Sequence, residues 1–170
     1  MSKKLLSLFA VAALSMPLLA SAPTTDVTVI VAYKAGSGTD TGARLLASEA
    51  EKFVGKTLII NNLPGADGKI GWTELTKAKP DGHTIGFINL PTFTTFAAMP
   101  GAPFSTAKIV PIVNHLTETG VVVVRADSPY KTLKDLVDAA KANPSIRAST
   151  NGRKASNHIA AELLAQSAGF

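Results

Sequence analysis

The run Val27-Thr28-Val29-Ile30-Val31-Ala32 constrains the fold most, because it is β-branched and almost wholly apolar. A strand of that kind has no polar face to leave in water, so it belongs inside a parallel sheet covered on both sides. A helix is expected next. From Thr39 to Val54, Ala43, Leu46, Ala50 and Phe53 recur at helical spacing, Asp40 lies in the first turn where a negative charge suits the dipole, and Gly55 ends the pattern.

The unit then repeats. Residues 57–62 (TLIINN) read as a second strand, 63–68 (LPGADG) as a turn-rich loop opening a short helix around Ile70 to Ala78, and 83–90 (HTIGFINL) as a third strand. Strands alternating with helices define an α/β layer architecture. Two further strands are expected at Ile109 to Leu116 and Val121 to Arg125, before Asp127-Ser128-Pro129 breaks the chain. Thr132-Leu133-Lys134-Asp135 resembles a capping box, and Leu133, Leu136, Val137 and Ala140 form one apolar helix face. A short strand at Ile146 to Ser149 should lead into the loop 150–155, with Ser156 or Asn157 capping a last helix whose buried stripe is Ile159, Leu163 and Leu164. The expected organisation is a first α/β lobe over 23–125 and the start of a second, incomplete one over 126–170.

The N-terminus reads as an export signal. Met1-Ser2-Lys3-Lys4 supplies a positive start, Leu5 to Leu14 an apolar stretch, and Ala20-Ser21-Ala22 a small-residue cleavage pattern. The apolar core is shorter than the roughly 20 residues of a spanning helix. Residues 1–22 are therefore expected to be removed on export.

Composition narrows the chemistry. There is no cysteine, so disulfides, thiolate metal sites and cysteine nucleophiles are excluded. The formal charge is +5, with Lys3 and Lys4 contributing two of those charges, and the other basic residues are scattered. Nucleic-acid binders concentrate cations on one face and interleave aromatics, which here make up only 6% of the chain. His83, His115 and His158 are isolated and show no metal spacing, no G-x-S-x-G serine is present, and the carboxylates form no acid and base pair. No cofactor or metal is expected, and no catalytic residue stands out.

The sharpest motif is Ala35-Gly36-Ser37-Gly38-Thr39-Asp40. Small residues between a buried strand and a helix let backbone N–H groups converge on an anion at the helix N-terminus. The same loop also serves as a tight turn without a ligand. A nucleotide-binding α/β enzyme is the alternative, but Gly42 comes one position later than G-x-G-x-x-G requires, and the second strand ends in Asn61-Asn62 rather than a ribose-binding acid. Downstream, Thr150-Asn151-Gly152-Arg153-Lys154-Ala155-Ser156 mirrors the first loop, with two cations added. Arg153 and Lys154 could face a ligand or solvent, and Tyr33 could pack beside a ligand or cover the strand end.

Four segments, in order and spacing, carry a family resemblance: Val31-Ala32-Tyr33-Lys34-Ala35-Gly36-Ser37-Gly38-Thr39-Asp40, Asn61 to Gly68, Lys79-Pro80-Asp81-Gly82-His83-Thr84, and Ala148-Ser149 through His158 to Leu163. From about Val27 to Leu164 the chain resembles the TctC or Bug family, the substrate-binding receptors of tripartite tricarboxylate transporters. The resemblance implies a two-lobed, periplasmic-binding-protein-like (type II) α/β fold, in chains roughly twice this length. It implies an extracytoplasmic, monomeric, non-enzymatic receptor for a small carboxylate, working with integral-membrane transporter subunits. By matching position it nominates Tyr33, Ala35, Gly36, Ser37, Thr39 and Asp40 in the first lobe and Ser149, Asn151, Gly152, Ser156 and His158 in the second, with the loop Asn89 to Thr92 as a further contributor. Ala32 stands where the family usually has proline, and Ser37 where it usually has glycine.

Overall fold

The computed structural model describes residues 23–150 and 152–170. The expected signal segment, 1–22, lies outside the described residues. Val27–Val31 forms β1, at the centre of a three-stranded parallel sheet in the order β2-β1-β3, with β2 at Leu58–Asn62 and β3 at Thr84–Phe87. Register runs from Val27 beside Leu58 to Val31 beside Asn62, and from Thr28 beside Thr84 to Val31 beside Phe87. The central place explains the composition of β1: Val27, Val29, Ile30 and Val31 are all buried. On β2, a sheet edge among the described residues, half-buried and exposed positions alternate.

Helix α1 (Gly38–Val54) connects β1 to β2, and α2 (Lys69–Lys77) connects β2 to β3 after a single 3-10 turn at Ala66–Gly68. The first crossover steps outward from β1 to β2 and the second returns in the opposite direction, across β1 to β3, so right-handed connections put α1 and α2 on opposite faces of the sheet. The buried stripe of α1 is Asp40, Ala43 and Ala47, whereas Phe53, expected on the apolar face, is 88% exposed. Small side chains bring the helix close to the strands, and the stripe follows the anchored Asp40 rather than the bulkiest apolar residues.

The core lies on the α2 side. Trp72 is fully buried and meets Phe93 and Phe104 edge-on at centroid distances of 5.5 and 6.1 Å, while Phe93 and Phe104 stack at 5.0 Å. Its indole N–H donates to the Phe87 carbonyl at 3.1 Å, so the ring's polar edge is satisfied inside. Helix α3 (Thr92–Ala97) supplies Phe93 and Phe96. Gly71 allows α2 to sit this close: a Cβ there would lie 2.8 Å from the Cα of Ala32 and 2.9 Å from the carbonyl oxygen of Leu63.

Beyond Phe104 the expectations from sequence are only partly met. Helix α4 (Leu133–Ala142) carries the expected capping box: Thr132 Oγ1 accepts from the Asp135 amide, and Asp135 accepts from the Thr132 amide. The strands expected at 109–116, 121–125 and 146–149 do not form. A strand is stabilised by its ladder, and no described strand lies beside these segments. The apolar run is exposed, with Val110 86% and Val123 80% accessible. His115 anchors it locally, its ring 5.5 Å from Phe87 and closed over Gly42. Helix α5 (Ser156–Ala168) is preceded by Ala155 at the N-cap position with no side-chain cap. Ser156 and Asn157 already lie inside the helix, with the Ser156 hydroxyl on Asn157 Oδ1 at 3.3 Å, so neither caps it.

The aromatic cluster yields a direct test. Trp72→Ala should lower the unfolding free energy by about 3–5 kcal/mol, measured by urea denaturation, and Trp72→Phe should lose less. An unchanged midpoint for the alanine variant would show that the rings around Trp72 are not the core.

Candidate functional site

The loops that leave β1, β2 and β3 gather at the carboxyl end of the sheet, where open α/β sheets bind ligands. Their geometry is set by one buried carboxylate. Asp40, in the first turn of α1, is 2% exposed. Its oxygens accept from the Gly36 amide at 2.8 Å, Arg44 Nε at 3.1 Å and Asn62 Nδ2 at 2.9 Å, and Arg44 also forms an ion pair with it. Asn62 binds the Tyr33 carbonyl at 3.1 Å through Nδ2 and receives Arg44 through Oδ1. The exit of β1, the start of α1 and the end of β2 are thereby held as one unit. The Arg44 bond leads the effects that lower the Asp40 pKa to about 2, followed by the bonds from Gly36 and Asn62.

Gly36 has φ +80°, the left-handed region that glycine enters without steric cost. That turn aims its N–H at Asp40, so this amide is committed inside the protein rather than free for an anion. Ser37 is the N-cap of α1, its hydroxyl accepting from the Asp40 amide at 3.3 Å. The Gly38 and Thr39 amides open the helix with no intrahelical carbonyl in reach. Among the described residues neither amide has an acceptor. Thr39 Oγ1 accepts from Asn89 Nδ2 at 3.2 Å, which brings the β3 loop to the same place, and Asn89 Oδ1 is buried without a partner among the described residues. Ala35 is exposed beside this turn.

Tyr33 is half-buried, its ring edge-on to Trp72 at 6.1 Å. Burial, and after it the charge of Asp67, raises the pKa of its hydroxyl, which stays a neutral donor at physiological pH.

The second loop meets the first lobe at two points. A Cβ on Gly152 would lie 2.9 Å from Asp67 Oδ1, and the Lys154 ammonium reaches the thioether of Met99 at 3.4 Å. Lys154 has φ +69°, and the adjacent Ala155 is buried. Arg153 is exposed. Ser149 is exposed, Ser156 is bonded within its own helix, and His158 Nε2 lies 3.6 Å from Glu162 one turn along α5. Among the described residues no hydrogen bond joins these three to the first loop, and Asn151 lies outside the described residues. The nominated first-lobe residues therefore form one cluster, of the second loop Gly152 reaches a residue adjoining it, and Ser149, Ser156 and His158 stand apart.

Sequence reasoning missed Arg44, Asn62 and Asp67. The spacing of Asp40 and Arg44 by one helical turn was the available signal for the first. Only the parallel register, which sets Asn62 beside Val31, reveals the second. Asp67 stood in the turn-rich loop with nothing in the local pattern to distinguish it.

Two measurements probe this arrangement. Gly36→Ala should cost about 1–2 kcal/mol, because alanine is strained at that φ. For Asp40, a folded pKa below the usual 3.8 means that the stabilisation is complete above that value and is lost as pH falls through about 2. Thermal melts should show stability declining through that acid range, and Asp40→Asn should be less stable at neutral pH and show a shallower decline. Parallel curves for the two proteins would contradict the assigned role.

Comparison with known proteins agrees with this architecture. The family model for the tripartite tricarboxylate transporter family receptor, TctC, matches residues 42–170. A UPF0065 protein in the gbd 5' region of Cupriavidus necator is 30% identical over 155 residues, covering 86% of this chain and 45% of its own length. BugT of Bordetella pertussis is 26% identical over 146 residues, covering 84% of this chain and 45% of its own. Among solved structures, the periplasmic binding protein BugD aligns with a TM-score of 0.62 at 28% identity, covering 87% of this chain and 50% of that one. MatC from Rhodopseudomonas palustris, solved with bound malate, aligns with a TM-score of 0.65 at 25% identity, covering 86% and 51%. The chain thus spans about half the length of these relatives. With a parallel α/β sheet that aligns with periplasmic binding proteins and a family match over most of its residues, the chain belongs to the TctC family of tripartite tricarboxylate transporter receptors.

Proposed function

We propose that this chain is part of an extracytoplasmic solute-binding receptor that captures a small organic carboxylate and delivers it to the membrane subunits of a tripartite tricarboxylate-type transporter. The observation that carries the reading is the pair of amides at Gly38 and Thr39, which have no acceptor among the described residues. They stand beyond the carboxyl end of the sheet, in a loop braced by Asp40. Family membership supports it, as does the malate held by MatC. The positive N-terminus, apolar stretch and Ala20-Ser21-Ala22 pattern support export to the periplasm.

In this reading Tyr33, Ala35 and Thr39 line the ligand, while Gly36, Ser37 and Asp40 shape the loop that presents the donors. The lobe beginning near residue 126 brings Ser149, Asn151, Gly152, Ser156 and His158 to the ligand by a hinge movement, and the closed monomer docks on the transporter. Capture needs no covalent step. Charge-assisted hydrogen bonds contribute about 1.5–3 kcal/mol each, and a few of them reach the roughly 8 kcal/mol of micromolar affinity once association costs are met.

Titration calorimetry of the full-length protein against mono-, di- and tricarboxylates should give at least one ligand of micromolar affinity. Silence across that set together with binding of NAD would replace the receptor by a nucleotide-binding enzyme.

A further inference from the structure

Residues 23–170 hold a single sulfur atom. There is no cysteine, and of the three methionines Met1 and Met16 fall in the expected signal segment, which leaves Met99. Met99 follows α3 in a turn fixed on both sides, its amide donating to the Phe96 carbonyl at 3.2 Å and its carbonyl accepting from the Ala102 amide at 3.1 Å. Its half-buried side chain packs against the cluster of Trp72, Phe93, Phe96 and Phe104, a setting that thioethers favour. The same sulfur is where the loop before α5 touches the first lobe. Lys154, 55 residues on, donates its ammonium to Met99 Sδ at 3.4 Å and pairs with no carboxylate among the described residues. The loop is set for this contact by Lys154 at φ +69°, by the Ala155 amide on the Gly152 carbonyl at 3.2 Å, and by the burial of Ala155.

A thioether is a weak acceptor, so an ammonium resting on it is only lightly held. Oxidation changes that. Hydrogen peroxide breaks its O–O bond at the sulfur lone pair: one oxygen stays on sulfur as the sulfoxide, the other leaves as water, and the two electrons that sulfur loses are gained by the peroxide. The new oxygen makes an apolar side chain polar. Without a partner among the rings it would loosen them, but an ammonium already 3.4 Å from the sulfur supplies a charge-assisted hydrogen bond. We propose that Met99 is an oxidation-sensitive modification site read by Lys154, at which sulfoxide formation fastens the loop before α5 to the aromatic core. The site goes beyond the receptor reading and requires no ligand. Reduction by a methionine sulfoxide reductase restores the thioether and releases the loop.

The test is hydrogen exchange of the full-length protein over residues 152–158, followed by mass spectrometry before and after treatment with hydrogen peroxide, the added oxygen being located by peptide mass. Oxidised wild-type protein should exchange there at least about threefold more slowly. Met99→Leu, a swap that conserves volume and so is compatible with folding, removes the sulfur, and peroxide should then leave exchange unchanged. Lys154→Ala should still take up the oxygen yet show no slowing, whereas Lys154→Arg, which keeps a cationic donor, should recover it. Unchanged or faster exchange in the oxidised wild type overturns the proposal, because the oxygen has then found no partner or has loosened the rings. Slowing that survives in Lys154→Ala overturns the role of Lys154. A Met99 that resists peroxide under conditions that oxidise free methionine overturns the modification site itself.

Discussion

The buried carboxylate of Asp40 is the constraint on which the rest of the site depends. It meets an amide from the glycine turn, a guanidinium from its own helix and an amide side chain from the neighbouring strand. A carboxylate left unpaired in that position would be strongly unfavourable, so these groups must be assembled together. The consequence is mechanical. The start of α1 is held at the end of the sheet by a loop that cannot reorganise without stripping Asp40 of its partners.

Two kinds of glycine loop role are separated here. A loop of small residues at a helix N-terminus invites the view that every amide in it faces an anion. In this structure Gly36 donates inward to Asp40 through its left-handed backbone, whereas Gly38 has no acceptor among the described residues. The second loop works differently, as the space above Asp67 is available only because residue 152 has no side chain.

The legible part of the fold was the part whose stabilisation is local or periodic. The almost wholly apolar β1 run required a buried parallel strand, the capping pair of Thr132 and Asp135 marked a helix start, and Gly55 marked a helix end, its φ of +68° being the geometry expected there. The illegible part depended on partners. Residues 109–116 and 121–125 have the composition of strands, yet composition cannot supply a neighbouring ladder, and the segments remain irregular and largely exposed. Phe53 failed for a related reason: apolar spacing describes a stripe, but which stripe faces inward was set by the Asp40 anchor.

By itself the sequence determined an α/β unit with a buried central strand and a glycine turn before a helix, because these follow from residue type and near-neighbour order, and its four motifs carried the resemblance to the TctC family. Only the tertiary structure decided that Asn62 completes the Asp40 cluster, that Asn89 reaches Thr39, and that Asp67 stands against Gly152. Those residues are 22, 50 and 85 positions apart. Contacts across such separations come from sheet register and crossover direction, which no local pattern of residues encodes.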